Sequence, residues 1–133
     1  MDGHLVKLLF DTHTFIWWDS SAANLSAAAR SALLDPANAL TLSVVSVWEI
    51  QIKRQLGKMN VSRPLDELVR HHRLVNHVEL IPVTLEHVLG LDVLSDHHRD
   101  PFDRLLIAQA NAEGAVLVTK DAAIRKYSVQ TLW

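Results

Sequence analysis

A chain of 133 residues, 49% hydrophobic and 21% charged, has the size of one domain and enough apolar sequence to bury its own core. It contains no cysteine, which excludes disulfide scaffolds, thiolate metal sites, iron–sulfur clusters and a cysteine nucleophile. Thirteen Lys and Arg against fifteen Asp and Glu give a net charge of −2, so no overall basic character announces a nucleic-acid binder.

No apolar run approaches the roughly 18 residues of a membrane span. The start, Met1-Asp2-Gly3-His4, lacks the positive region of a signal peptide, and the apolar run Leu8-Leu9-Phe10 stops at Asp11. A cytoplasmic protein without membrane association is expected.

Along the chain, Val6–Phe10 is short, apolar and closed by a charge, which predicts a buried strand. Ser26 caps a helix running to about Leu34, closed by Asp35-Pro36. Ala39–Val45 reads as a second strand, and Ser46 opens an amphipathic helix that Gly57 ends. Pro64 takes the first position of a helix with Asp66 and Glu67 in its first turn, where the helix dipole favours negative charge. Val78–Val83 is a third strand, and Thr84 caps a helix over TLEHVLGLDVL. The polar loop SDHHR precedes a helix that begins at Asp100-Pro101-Phe102-Asp103 and stops at Gly114. Ala115–Thr119 is a fourth strand, Asp121 caps a short helix, and Ser128–Leu132 makes a short last strand. Strands alternating with helices predict an α/β fold, a single domain over residues 1–133. Its parallel sheet is covered on both faces, as the nearly continuous apolar strands require.

Function in such folds sits beyond the carboxyl ends of the strands. Asp11 directly follows the first strand and Asp121 follows the fourth. Asp103 lies in the first turn of a helix, and Glu49 lies one turn into the helix after the second strand. If the first and fourth strands are neighbours, these carboxylates converge at one edge of the sheet. Gathered carboxylates repel and need a counter-charge, and an all-oxygen ligand set suits Mg²⁺ or Mn²⁺. Taken singly, each Asp has a plain structural explanation. Asp100 and Asp103 match an N-cap and N3 pair, and Asp121 matches an N-cap. Glu49, among Val47, Trp48, Ile50 and Ile52, is harder to explain structurally.

Four stretches in this order carry a family likeness: FDTHTFIWW (Phe10–Trp18), SVVSVWEIQIKRQLGKM (Ser43–Met59), HRDPFDRLLIAQA (His98–Ala110) and LVTKD (Leu117–Asp121). On them the chain resembles a PIN-domain ribonuclease, and more closely the VapC-type toxin of a type II (VapBC) toxin–antitoxin pair. The resemblance implies a three-layer α/β/α PIN-like fold around a central parallel sheet. It implies an endoribonuclease, a hydrolase of phosphodiester bonds, that uses Mg²⁺ or Mn²⁺ and is silenced by a VapB-type antitoxin; it also implies a homodimer. The family's acids fall on Asp11, Glu49, Asp103 and Asp121. Asp11 and Asp103 are then the main metal ligands, and Asp121 and Glu49 complete the shell or hold a second ion. Thr119 would orient an acid or a water, and Asp100 is a neighbour assigned mainly to capping.

Setting the four acids aside leaves 13 basic residues against 11 of the 15 acidic ones. A phosphate groove must therefore come from local clusters: Lys53-Arg54 with Lys58, Arg99 with Arg104, and Lys120 with Arg125-Lys126. Arg104, Lys120 and Arg99 are the candidate substrate contacts, though a solvated helix face is the plainer reading of each cluster. His71-His72 and His97-His98 lack helical metal-ligand spacing and read as surface residues. His13 is close enough to Asp11 to touch substrate, with a local structural role as the plainer reading. Trp17, Trp18 and Trp48 read as core or subunit-interface aromatics, with base stacking as the lesser option. A helix face of Trp48, Ile52 and Leu56 suits either a partner contact or the core. Two other functions start from the same Asp11. A haloacid-dehalogenase-like phosphohydrolase needs a second Asp where His13 stands. A non-catalytic module, receiver-like or PIN-like, is the other; a receiver needs an acceptor Asp that Leu80-Ile81-Pro82-Val83 does not offer. No phosphate-binding loop of the G-x-x-x-x-G-K-[ST] kind occurs.

Overall fold

The structure is a computed structural model that describes residues 6–95 and 100–133. Arg99 and the pair His97-His98 lie outside the described residues. Five strands form the centre: β1 (Lys7–Phe10), β2 (Ala39–Ser43), β3 (Glu79–Ile81), β4 (Val116–Val118) and β5 (Thr131–Leu132). The helices are α1 (Thr12–Ser20), α2 (Ala27–Leu34), α3 (Val44–Gln55), α4 (Leu65–Val75), α5 (Leu85–Leu89), α6 (Pro101–Glu113) and α7 (Ala122–Arg125). Short 3₁₀ turns lie at Ala22–Asn24 and Gly90–Val93.

All strand pairs are parallel, in the order β3-β2-β1-β4-β5. The strand β1 is central, and its side chains alternate between two cores. Leu8 and Phe10 join Phe15, Leu33, Leu42, Ile50 and Leu68 on one face. Leu9 joins Leu106, Ile107, Leu117 and Ile124 on the other. The result is the three-layer α/β/α arrangement, with α1, α2 and α4 on one side and α6 and α7 on the other.

Several local readings change. Pro64 is the N-cap of α4 rather than its first residue, and the helix expected over TLEHVLGLDVL gives way to a 3₁₀ turn at Gly90. Three further readings change. The boundary between β2 and α3 lies earlier than the sequence suggested. Ser43, rather than Ser46, is the N-cap: its hydroxyl accepts from Val45 N at 3.0 Å and donates to buried Gln109. Val44 and Val45 are therefore helical despite their β-branched preference, because a satisfied cap and burial of Val45, Ser46, Glu49 and Ile50 outweigh propensity. The second change is α1, which has no amphipathic signature. Asp11 caps it, accepting from Thr14 N at 2.7 Å. The third is His72, which is 5% exposed rather than a surface residue. It stacks on Trp18 at 4.6 Å and ties α4 to α1 through Asp19 Oδ1 at 2.7 Å.

With its single proton on Nε2, His72 donates to Asp19 Oδ1 and accepts at Nδ1 from Asn76 Nδ2, 3.0 Å away. That is the neutral imidazole, and burial lowers the His72 pKa while the Asp19 contact opposes it. With the folded pKa below the unfolded one, the unfolded chain takes up the proton first. The contribution of His72 to stability is thus present above about pH 6.5 and is lost as pH falls through the folded value. Urea midpoints measured from pH 7 to pH 5 should fall more steeply for wild type than for His72→Gln. The difference is bounded by about 1.4 kcal/mol per pH unit; parallel curves would refute it.

Candidate active site

The register Phe10↔Val118 between β1 and β4 sets Asp11 and Thr119 side by side just past the strand ends. Thr119 Oγ1 donates to Asp11 Oδ2 at 2.5 Å and accepts from Asp121 N at 3.0 Å, so one hydroxyl links the loops that carry two of the acids. Asp121 itself caps α7 through Ala123 N at 2.8 Å and is exposed. Asp11 is only 6% exposed. Burial raises its pKa above the ordinary carboxylate range, while the hydrogen bonds from Thr119 and Thr14 pull the other way.

From the neighbouring strand, α3 presents Glu49 on its buried face, 2% exposed. Thr12 Oγ1 donates to Glu49 Oε1 at 2.6 Å and lies 3.0 Å from Ser46 Oγ. Lys53, one turn further along α3, donates to Glu49 Oε2 at 2.5 Å. The bond to Glu49 holds the lysine's pKa above its usual value against the cost of burial, and the charges of Asp100 and Asp103 add to it. The third wall is the start of α6, where Asp100 Oδ1 accepts from Phe102 N at 2.9 Å and Asp103 N at 3.2 Å. Asp100 is therefore a genuine cap, and Pro101 takes the first helical position without losing a needed donor.

These walls enclose a cleft of about 410 Å³ lined by Asp11, Thr12, His13, Trp17, Glu49, Lys53, Asp100, Asp103, Lys120 and Asp121. The four acids named from the sequence thus share one cavity, and so does Asp100. Among the described residues, no three Asp, Glu or His side chains come close enough together to hold an ion as the structure stands. The donor set nevertheless fits a hard divalent cation: it is all oxygen, and Asp11 is a buried carboxylate whose two oxygens accept from neutral donors.

The candidate substrate contacts separate. Lys120 lines the cleft, its Nζ 5.9 Å from the ring of Trp17. Arg104 is turned elsewhere, to Ser95 O at 3.0 Å and Tyr127 Oη at 3.1 Å, and does not line it. Of the tryptophans, Trp17 and Trp18 pack against the core, whereas Trp48 is 56% exposed and meets Phe102 edge-on at 4.9 Å. Sequence reading missed Thr12 as the partner of Glu49. It treated Lys53 as part of a surface cluster, although the i, i+4 spacing from Glu49 is the usual signature of a helical ion pair.

A larger apolar groove of about 880 Å³ runs between α3 and α4, lined by residues such as Val47, Leu65, Val69, Arg73 and Leu74. It contains none of Asp11, Glu49, Asp103 and Asp121.

A PIN domain family model matches residues 8–130. The chain is 28% identical over 127 residues to ribonuclease VapC22 of Mycobacterium tuberculosis, covering 92% of this chain and 93% of that protein. Its fold is similar to that of VapBC2 from Rickettsia felis bound to a promoter DNA fragment, with a TM-score of 0.64 at 16% identity over 96% of this chain and 98% of that one. It is similar as well to DNA-bound VapBC from Salmonella typhimurium, with a TM-score of 0.65 at 14% identity over the same shares. At such identities the structural likeness speaks for the fold alone, and it agrees with the family match and with acids mounted at the carboxyl ends of a parallel sheet. The chain belongs to the PIN domain family.

Proposed function

We propose that the protein is an endoribonuclease toxin of the VapC kind, hydrolysing RNA phosphodiester bonds with Mg²⁺ or Mn²⁺ and silenced by a small VapB-type antitoxin. The observation that carries this reading is the single cleft into which Asp11, Glu49, Asp103 and Asp121 all face. Asp11 and Asp103 would be the main ligands, with Asp121 and Glu49 completing the shell or holding a second ion. When bound, the ion supplies an activated water and neutralises charge on the scissile phosphate. The chain's own groups do the rest. Thr119 fixes the Asp11 carboxylate, Thr12 fixes Glu49, and the cap at Asp100 aligns the first turn of α6 that carries Asp103. Lys120 offers a cation to the RNA backbone at the cleft mouth.

The same reading puts the protein in the cytoplasm with its substrate and makes it a homodimer. Among the described residues no helix is long and apolar enough to cross a membrane. Trp48 and Leu56 of the α3 region are exposed, so core burial does not account for them, and they suit a protein contact.

The test is cleavage of total cellular RNA by protein purified free of antitoxin. Cutting should require Mg²⁺ or Mn²⁺, stop with chelator, and fall at least about a hundredfold in Asp103→Asn, which corresponds to about 2.7 kcal/mol of lost barrier reduction. Circular dichroism should show the variant folded. Cutting that persists with chelator, or in Asp103→Asn, would overturn the assignment.

A further inference from the structure

The Glu49 and Asp11 sides of the cleft are charged differently. Both oxygens of Glu49 are already occupied: Oε1 by the Thr12 hydroxyl at 2.6 Å, and Oε2 by the Lys53 ammonium at 2.5 Å. The Glu49 side chain is 3% exposed and that of Lys53 is 31% exposed, so the pair lies at the inner wall with the lysine reaching in from the rim. Both oxygens of Asp11, by contrast, accept from neutral donors, Thr14 N–H and the Thr119 hydroxyl. Among the described residues, Glu49 is bonded to an ammonium, whereas these hydrogen-bond donors to Asp11 are neutral. The cleft holds several carboxylates, but among the described residues no three come close enough together to hold an ion.

We propose that Lys53 is a built-in counter-cation: its ammonium holds the position that a second divalent ion would need at Glu49. The cleft then takes one divalent ion on the Asp11 side, and Glu49 joins a coordination shell only when Lys53 withdraws. This rests on the metal-site reading above and deepens it. A divalent ion beside a retained ammonium would suffer strong like-charge repulsion in a partly desolvated cleft, whereas the flexible lysine stem has an open path toward solvent.

The test counts Mn²⁺ bound to the full chain, by titration calorimetry and by the electron paramagnetic resonance signal of free Mn²⁺. Wild type and Lys53→Arg should each bind one ion. Lys53→Met and Lys53→Gln should bind two, with the first bound about tenfold more tightly than in wild type. Adding Glu49→Gln to Lys53→Met should return the count to one. Two ions on wild type would overturn the proposal whether or not the lysine variants fold. One ion on both wild type and a folded Lys53→Met would also overturn it, leaving the metal site itself intact. No ion on any form would remove the metal reading and this inference together.

Discussion

Asp11→Asn should lower RNA cleavage by about a thousandfold or more while leaving the ion-free protein at least as stable as wild type. The rate effect follows from losing a charged ligand at a site whose ion contributes several kcal/mol of transition-state stabilisation. The stability effect follows from burial. The Asp11 carboxylate is 6% exposed, its pKa is raised because desolvation disfavours the charged form, and its partners are neutral. Asn keeps an oxygen for Thr14 N and turns its amide toward Thr119 Oγ1, so the hydrogen bonds survive without the buried charge. The sign reverses when metal is present. An ion that binds only the folded wild type stabilises it by about 2.7 kcal/mol at a concentration a hundred times the Kd, and Asn forfeits that gain. Melting curves with and without Mn²⁺ should therefore cross: the variant melts at or above wild type in chelator and below it in saturating Mn²⁺. A variant less stable than wild type in chelator would mean that Asp11 is chiefly a structural cap.

Phe15→Ala should cost about 3–5 kcal/mol, the range for emptying a buried aromatic site. Phe15 is completely buried and packs edge-on against Phe10 at 5.5 Å and against His72 at 5.4 Å. It thereby clamps α1 to the central strand on one side and to α4 on the other. For a domain with about 5–15 kcal/mol of total stability, such a loss lowers the melting temperature by roughly 10–20 °C. Leu34→Ala, at a position 72% exposed, is the control and should stay within about 0.5 kcal/mol. Because α1 begins at the residue after Asp11 and carries Thr12, Phe15→Ala should lose catalytic activity as temperature rises well before wild type does. Equal melting temperatures for Phe15→Ala and Leu34→Ala would show that α1 is not anchored as described.

Much of the architecture was legible because its signals are local. The strand at Lys7–Phe10 is a short apolar run ended by a charge. The helix at Pro101–Glu113 has an Asp cap, a proline in its first turn and a glycine closing it at φ 64°, a left-handed conformation that favours glycine. Where competing signals were both local, the reading slipped. Val44 and Val45 look like strand, and only the hydrogen bonds of Ser43 to the chain itself and to Gln109 make them helix. Helix α1 was not legible, since THTFIWWDS has poor helix formers on all sides and is held by Phe15 burial and the Asp19–His72 tie.

By itself, the sequence determined the alternation of elements and the parallel sheet, and it pointed to the four acids that line one cleft, because caps, apolar runs and motif spacing are properties of neighbouring residues. Only the tertiary structure decided how those acids are partnered. It put Thr119 on Asp11, set Lys53 and Thr12 on Glu49, turned Arg104 away toward Tyr127, and buried His72 against Asp19. The physical reason is that a carboxylate's charge state and freedom to bind an ion depend on desolvation and on donors brought from other parts of the chain, and strand register and helix packing alone set those.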